Sequence, residues 1–201
     1  MRVYHFLFRG RLVSPNILSV VGCILGFVSL FFIVMDSLVL GGLALLVSGF
    51  FDVLDGAVAR THGRVTPYGG FLDSVLDRYT DLGVAFGILV YFMRRNDMLF
   101  TALTFVAAIG TAIIPYIRAR AEAASLPCKS GFLERPERTI LLIIGLCFDL
   151  LKPTIILLAV LTHLTAIQRI FIVRRAARSA KQGQGSRGEG EGPGSGVQGP
   201  A

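Results

Sequence analysis

An all-helical bundle crossing a membrane six times, preceded by a short interfacial segment, is the fold class this sequence predicts. Three observations lead there. Of 201 residues 53% are hydrophobic and only 16% charged, and the mean hydropathy is +0.67, values that belong to polytopic membrane proteins and exclude an ordinary soluble domain. Apolar runs near the roughly 20 residues needed to span a bilayer as helix recur at 17–35, 38–60, 69–93, 98–120, 138–151 and 153–175. Lysine and arginine fall mostly at one set of segment ends, with only Arg94, Arg95 and Lys152 at the other.

Residues 1–13 mix Tyr4, Phe6, Leu7 and Phe8 with Arg2, Arg9 and Arg11, which suits a short helix lying at the interface. Ser14-Pro15-Asn16 then reads as a turn into the first span, with proline where its missing donor costs least. No small-residue cleavage pattern follows, so the first span is expected to be retained. Gly22, Gly26, Gly41, Gly42, Ala44, Ser48 and Gly49 give the first two spans small surfaces for close packing. The fifth run is short. Residues 14–178 are expected to form one six-helix membrane domain, and 179–201, rich in Gly, Ser, Gln and Glu, a disordered tail with nothing to bury.

The positive-inside bias puts both termini and most basic residues in the cytoplasm, making a multi-pass protein of the cell membrane. A net charge of +7 on that face suits anionic lipid, and no nucleic-acid partner is expected. Cys23, Cys128 and Cys147 lack metal-type spacing and read as packing residues, Cys128 being expected to be exposed. His62 and His163 have no partner constellation and read as packing or interface residues.

Against this apolar background stand Asp52, Asp55, Asp73 and Asp77. An ionised carboxylate at mid-bilayer costs roughly 2.5–3.5 kcal/mol on insertion scales, so four together require compensating charge. Spacings of three and four put each pair on one helix face. The loop 61–68 makes the two helices antiparallel neighbours, so that all four carboxylates converge. Carboxylate oxygens without His or Cys suit hard cations such as Mg²⁺ or Mn²⁺, and four could bridge two ions for in-line phosphoryl displacement. Gly56 leaves room beside Asp55, and Arg60 can pair with a phosphate.

Asp52-x-x-Asp55-Gly56-x-x-Ala59-Arg60, eight residues, then Gly69-x-x-x-Asp73-x-x-x-Asp77 resembles the signature of the CDP-alcohol phosphotransferase family at every fixed position. The resemblance implies six transmembrane helices, a homodimer, and transfer of a phosphatidyl group from a CDP-linked lipid to an alcohol with release of CMP. It gives Asp52, Asp55, Asp73 and Asp77 to two divalent ions, Mg²⁺ with Mn²⁺ as the other candidate, and makes Asp77 also the base for the acceptor hydroxyl. It gives Asn16, Ile17, Leu18, Ser19, Gly56, Arg60 and Thr66 to the CDP moiety. Asp81 lies one turn beyond the motif and is expected to pair with Arg78 or hydrogen-bond within the bundle.

A second basic region, Pro115-Tyr-Ile-Arg118-Ala-Arg120-Ala-Glu122 and Gly131-Phe-Leu-Glu134-Arg135-Pro-Glu137-Arg138, resembles the inositol-phosphate branch of that family. A phosphorylated acceptor would be held by several guanidinium forks. The resemblance assigns the acceptor phosphate to Arg118, Arg120, Arg138 and Arg169. Arg135, Arg174, Arg175 and Arg178 read instead as topology signals. Family members of this type carry a longer amphipathic segment before the first span than the 1–13 stretch here.

The expected reaction is therefore phosphatidyl transfer from CDP-diacylglycerol to inositol 1-phosphate, with the site facing the cytoplasm. Glycerol 3-phosphate is the alternative acceptor. A divalent-cation transporter is the alternative of another class, but it needs acidic residues through the membrane depth, whereas these cluster at one end.

Overall fold

A computed structural model of the chain describes residues 14–61, 66–128, 131 and 133–188, the side chains of 59–61 and 179–188 excepted. Six helices occupy these residues: α1 Pro15–Val34, α2 Leu38–Thr61, α3 Pro67–Arg94, α4 Met98–Ala123, α5 Arg135–Cys147 and α6 Leu151–Gly188. The interfacial segment expected at 1–13 lies outside the described residues, as does His62.

Helix starts follow local chemistry. Proline occupies the first turn of α1, α3 and α5, where it removes no intrahelical bond. The Thr66 Oγ1 caps α3 by accepting from Gly69 N at 3.0 Å, and the Asp97 carboxylate caps α4 through Phe100 N. The α1–α2, α3–α4 and α5–α6 turns each place a short polar residue, Asp36, Asn96 and Asp149, at positive φ, a conformation that Asn and Asp tolerate best after glycine. Backbone bonds such as Ser37 N to Phe32 O and Asp97 N to Phe92 O close the helix ends.

Packing makes a closed ring. In order round it, α1 packs on α2, α2 on α5, α5 on α6, α6 on α4, α4 on α3, and α3 back on α1. Despite their short connection, α2 and α3 make at most marginal contact with each other. The expectation that they are packed neighbours is therefore corrected: α1 bridges them, and the gap between them holds the acidic side chains. Mutual repulsion among those carboxylates opposes direct packing there.

The apolar core fills the end bearing the tight turns, where Ile33, Leu45, Val84, Ile88, Phe92, Leu146, Leu151 and Ile155 are buried together. A second cluster, Ala107, Leu133, Leu158 and Ala159, continues it toward the opposite end. Large apolar side chains such as Ile24, Phe27, Leu43, Phe86, Phe105 and Phe171 cover the outside of the ring, a surface stable in lipid and not in water. Four helices, α1, α2, α4 and α6, are long and apolar enough over their best segment to cross a membrane. α3 carries Asp73, Asp77, Arg78 and Asp81 between its start and its middle, and α5 has 13 residues, about 20 Å of helix against a core of about 30 Å.

Cys128 is buried at 2% exposure, not exposed as the loop position suggests, because it is turned inward from the α4–α5 connection. His163 bonds the Ala159 carbonyl of its own helix through Nδ1 at 2.9 Å. The backbone of α6 continues helical to Gly188, into the segment that composition assigns to the tail.

Candidate active site

All the acidic motif residues lie where α2 ends and α3 begins. Asp55 is buried at 6% exposure and accepts a hydrogen bond from the Ser19 hydroxyl of α1 at 2.5 Å. Ser19 comes from the stretch assigned to the nucleotide. Within that stretch Leu18 packs against Val58 in a small core, while Ile17 is 56% exposed on the outer surface. Asn16 stands beside Gly69 at the start of α3, its Oδ1 3.1 Å from where a Cβ on that glycine would lie. Asp52 approaches α1 so closely that a Cβ on Gly22 would fall 2.7 Å from its Oδ1. Gly56 follows Asp55 on α2, and the Arg60 side chain is outside the described residues.

Carboxylates on the two helices repel one another: Asp55 interacts with Asp73 and Asp52, and Asp77 with Asp73, Asp52 and Asp81. The charge that holds them comes from α5. Arg135 Nη2 lies 2.9 Å from Asp52 Oδ2 and 2.9 Å from Asp77 Oδ1, and its Nε lies 3.5 Å from Asp81 Oδ1. Sequence reasoning gave Arg135 to membrane topology; its place in the acidic cluster is a correction. The available signal was position, since Arg135 is three residues from Arg138 and both open the same helix.

Does the set fit a divalent cation? The donors are hard oxygens from two facing helices, and the cluster already binds positive charge between Asp52 and Asp77, so chemistry and location both suit one. Among the described residues no three acidic, His or Cys side chains are gathered into a coordination shell. Arg135 stands between them instead.

Next to the acidic cluster opens a cavity of about 750 Å³ whose walls include Asp77, Arg78, Arg118, Glu122, Glu134, Arg135, Arg138 and Arg169. Arg138 and Arg169 are each 4% exposed. Pro115 explains how Arg138 is held. Lacking an N–H, it leaves the Thr111 carbonyl without its intrahelical donor, and Arg138 Nη1 donates to that carbonyl at 3.4 Å. Arg169 Nη1 donates to Ile114 O at 3.2 Å. Gly131 lies against this guanidinium: a Cβ there would be 2.8 Å from Nε and Nη2.

Arg78, Arg138 and Arg169 each retain a buried Nε without a hydrogen-bond partner, as does Asp81 Oδ2. Asp81 lies 3.8 Å from both Arg78 and Arg138, so the expected pairing with Arg78 is present and Arg138 shares it. Arg118 is exposed on the rim, ion-paired with Glu122 at 2.8 Å. Arg120 is exposed and lies outside the cavity wall. Guanidinium groups outnumber carboxylates in the wall of this recess, which gives it a positive lining that attracts anions.

The model of the CDP-alcohol phosphatidyltransferase family matches residues 12–173 of the chain. This protein belongs to the CDP-alcohol phosphatidyltransferase family. It is 36% identical over 164 residues to the archaetidylinositol phosphate synthase of Pyrococcus horikoshii, covering 81% of this chain and 85% of that one. The crystal structure of Mycobacterium tuberculosis phosphatidylinositol phosphate synthase with CDP-DAG bound superposes with a TM-score of 0.76 at 31% identity, covering 85% of this chain and 90% of that one. The same enzyme in complex with manganese and citrate superposes with a TM-score of 0.74 at 31% identity, covering 80% and 82%. As a family member with four long apolar helices, this phosphatidyltransferase is a multi-pass membrane protein.

Proposed function

We propose that this phosphatidyltransferase moves a phosphatidyl group from CDP-diacylglycerol to inositol 1-phosphate, giving phosphatidylinositol phosphate and CMP. One observation carries the reading. Asp77 belongs at once to the acidic cluster and to the wall of the arginine-lined cavity, so a donor held by the first and an acceptor held by the second would meet at its carboxylate.

In this reading Asp52, Asp55, Asp73 and Asp77 hold two divalent ions, Mg²⁺ or Mn²⁺, which when bound neutralise the pyrophosphate and the leaving CMP. Ser19 fixes Asp55; Asn16, Gly56 and Thr66 stand at the approach of the CDP group from α1, α2 and the start of α3, Ile17 and Leu18 seat that turn of α1 against its surroundings, and Arg60 is given to the same group by the family resemblance. Arg138 and Arg169, with Arg118 at the rim, bind the acceptor phosphate and so place one inositol hydroxyl near Asp77; Arg120 contributes attraction from outside the cavity. Asp77 takes the hydroxyl proton as the oxygen bonds to the lipid-linked phosphorus, and the bond from that phosphorus to the CMP oxygen breaks. Held reactants of this kind need little else from the protein.

All six helices of the 14–178 domain cross the membrane in this reading, with Asp77 and Asp81 of α3 and Arg135 and Arg138 of α5 paired with one another inside the ring. The basic residues at the site end put that end and both termini in the cytoplasm, at the cell membrane. A homodimer is carried from the family resemblance. Residues 179–201 are a tail without catalytic role.

Purified protein given radiolabelled CDP-diacylglycerol with inositol 1-phosphate, glycerol 3-phosphate or unphosphorylated inositol in turn tests the assignment. Labelled phosphatidylinositol phosphate from the first alone is expected. Product from glycerol 3-phosphate at equal or greater efficiency would replace the acceptor, and transfer to free inositol would remove the role given to the arginines.

A further inference from the structure

We propose that Arg135 is a resident counter-ion of the acidic cluster which a divalent cation displaces, and that the displaced guanidinium turns into the acceptor cavity, coupling cation binding to acceptor binding. The inference rests on the two-site reading above. A single nitrogen, Nη2, sits 2.9 Å from carboxylate oxygens of both Asp52 and Asp77, bridging α2 and α3 from a third helix. A divalent ion on these carboxylates would take the same lone pairs, and two positive centres so close repel strongly. Guanidinium and metal are therefore alternative occupants.

A path out is present. Arg135 Nε is already 3.5 Å from Asp81 Oδ1, one turn along α3 from Asp77, so rotation of the side chain exchanges two anionic partners for one without leaving the guanidinium unpaired. Arg135 also lines the 750 Å³ cavity with Arg118, Arg138 and Arg169. Freed from Asp52 and Asp77, its Nη donors would add to the set facing the acceptor phosphate. Linkage then makes the effect reciprocal: each ligand raises the affinity of the other.

Mn²⁺ binding to the purified full chain, followed by electron paramagnetic resonance with and without inositol 1-phosphate, tests this. For the wild type, inositol 1-phosphate should tighten Mn²⁺ binding several-fold. In Arg135→Met, Mn²⁺ should bind at least tenfold more tightly than in the wild type, and inositol 1-phosphate should no longer alter it. Unchanged or weaker Mn²⁺ binding in Arg135→Met, or coupling as large as in the wild type, overturns the proposal. Should that variant fail to fold, Arg135→Gln decides. Its neutral amide keeps hydrogen-bond donors but not the charge, so Mn²⁺ affinity above the wild type supports the exchange and equal or lower affinity overturns it. Asp55→Asn, which removes a carboxylate that Arg135 does not touch, separates the two claims. Weakened Mn²⁺ binding there keeps the cation site even if Arg135 proves inert, and undiminished binding there removes the site and the exchange together.

Discussion

Arg138 is held by the carbonyl of Thr111, a backbone acceptor that is free because Pro115 stands four residues further along α4. A proline in mid-helix costs about 3 kcal/mol in an exposed host, so its presence among well-formed turns marks a helix shaped around a side chain from α5. Pro115→Ala restores a donor that competes for Thr111 O. The variant is expected to be at least as stable as the wild type, with the acceptor KM raised several-fold and the donor KM little changed. Arg138→Lys, which loses the fork, should raise the acceptor KM by about 10-fold or more, taking about 1.5–3 kcal/mol for a charged hydrogen bond. Steady-state kinetics with each substrate varied separately checks both.

Ser19 on α1 donates to Asp55 on α2 inside the buried start of the site. Removing the hydroxyl by Ser19→Ala leaves the carboxylate without its orienting donor, and partners of this kind are worth about 10–100-fold in metal affinity or activity. The expected result is a rise in the Mg²⁺ or Mn²⁺ concentration needed for half-maximal activity, with folding retained. A titration of metal against CMP release reads this directly.

At the opposite end, Lys152 Nζ lies 2.8 Å from Asp97 Oδ2 and stands over the Phe100 ring. Hydrogen bonding from Lys152, and then from Phe100 N, holds the Asp97 carboxyl below its usual range. A carboxyl with a lowered folded-state pKa stabilises the fold above the unfolded value, about 3.9 for Asp, and loses that contribution as pH falls through the lowered one. Lys152 is exposed and Asp97 partly so, so the effect is small. Asp97→Asn should flatten the acid side of the melting-temperature profile slightly and leave transferase activity unchanged, as thermal melts between pH 6 and pH 3 and a parallel activity assay would register.

The ease of reading differed from residue to residue for physical reasons. Carboxylates in an apolar sequence are energetically conspicuous, and their three- and four-residue spacings placed Asp52, Asp55, Asp73 and Asp77 on the facing ends of α2 and α3, where the structure has them. Arg138 and Arg169 stood out for a related reason, and both are buried. Arg135 did not, since an arginine at a helix start carries the same sequence signal whether it faces headgroups or carboxylates; only the packing of α5 on α2 distinguishes the two. Loop length misled about α2 and α3, because a short connection fixes the distance between helix ends but not which faces touch. Cys128 was misplaced for want of any periodicity in its loop. The apolar runs agreed with the limits of α1 to α5 to within a few residues, whereas α6 runs on to Gly188, well past 175; α1, α2, α4 and α6 are long and apolar enough to cross a membrane, and α3 and α5 depart from simple apolar spans because they carry polar side chains of the site.

In the proposed reaction Asp77 stands between donor and acceptor and takes the acceptor proton. Asp77→Asn, purified and assayed for CMP release from CDP-diacylglycerol and inositol 1-phosphate beside direct CDP-lipid binding, decides whether it does. A folded variant that still binds CDP-lipid and has lost turnover by about 10²-fold or more is expected, the range of general-base catalysis; turnover equal to the wild type would remove Asp77 from the role of base.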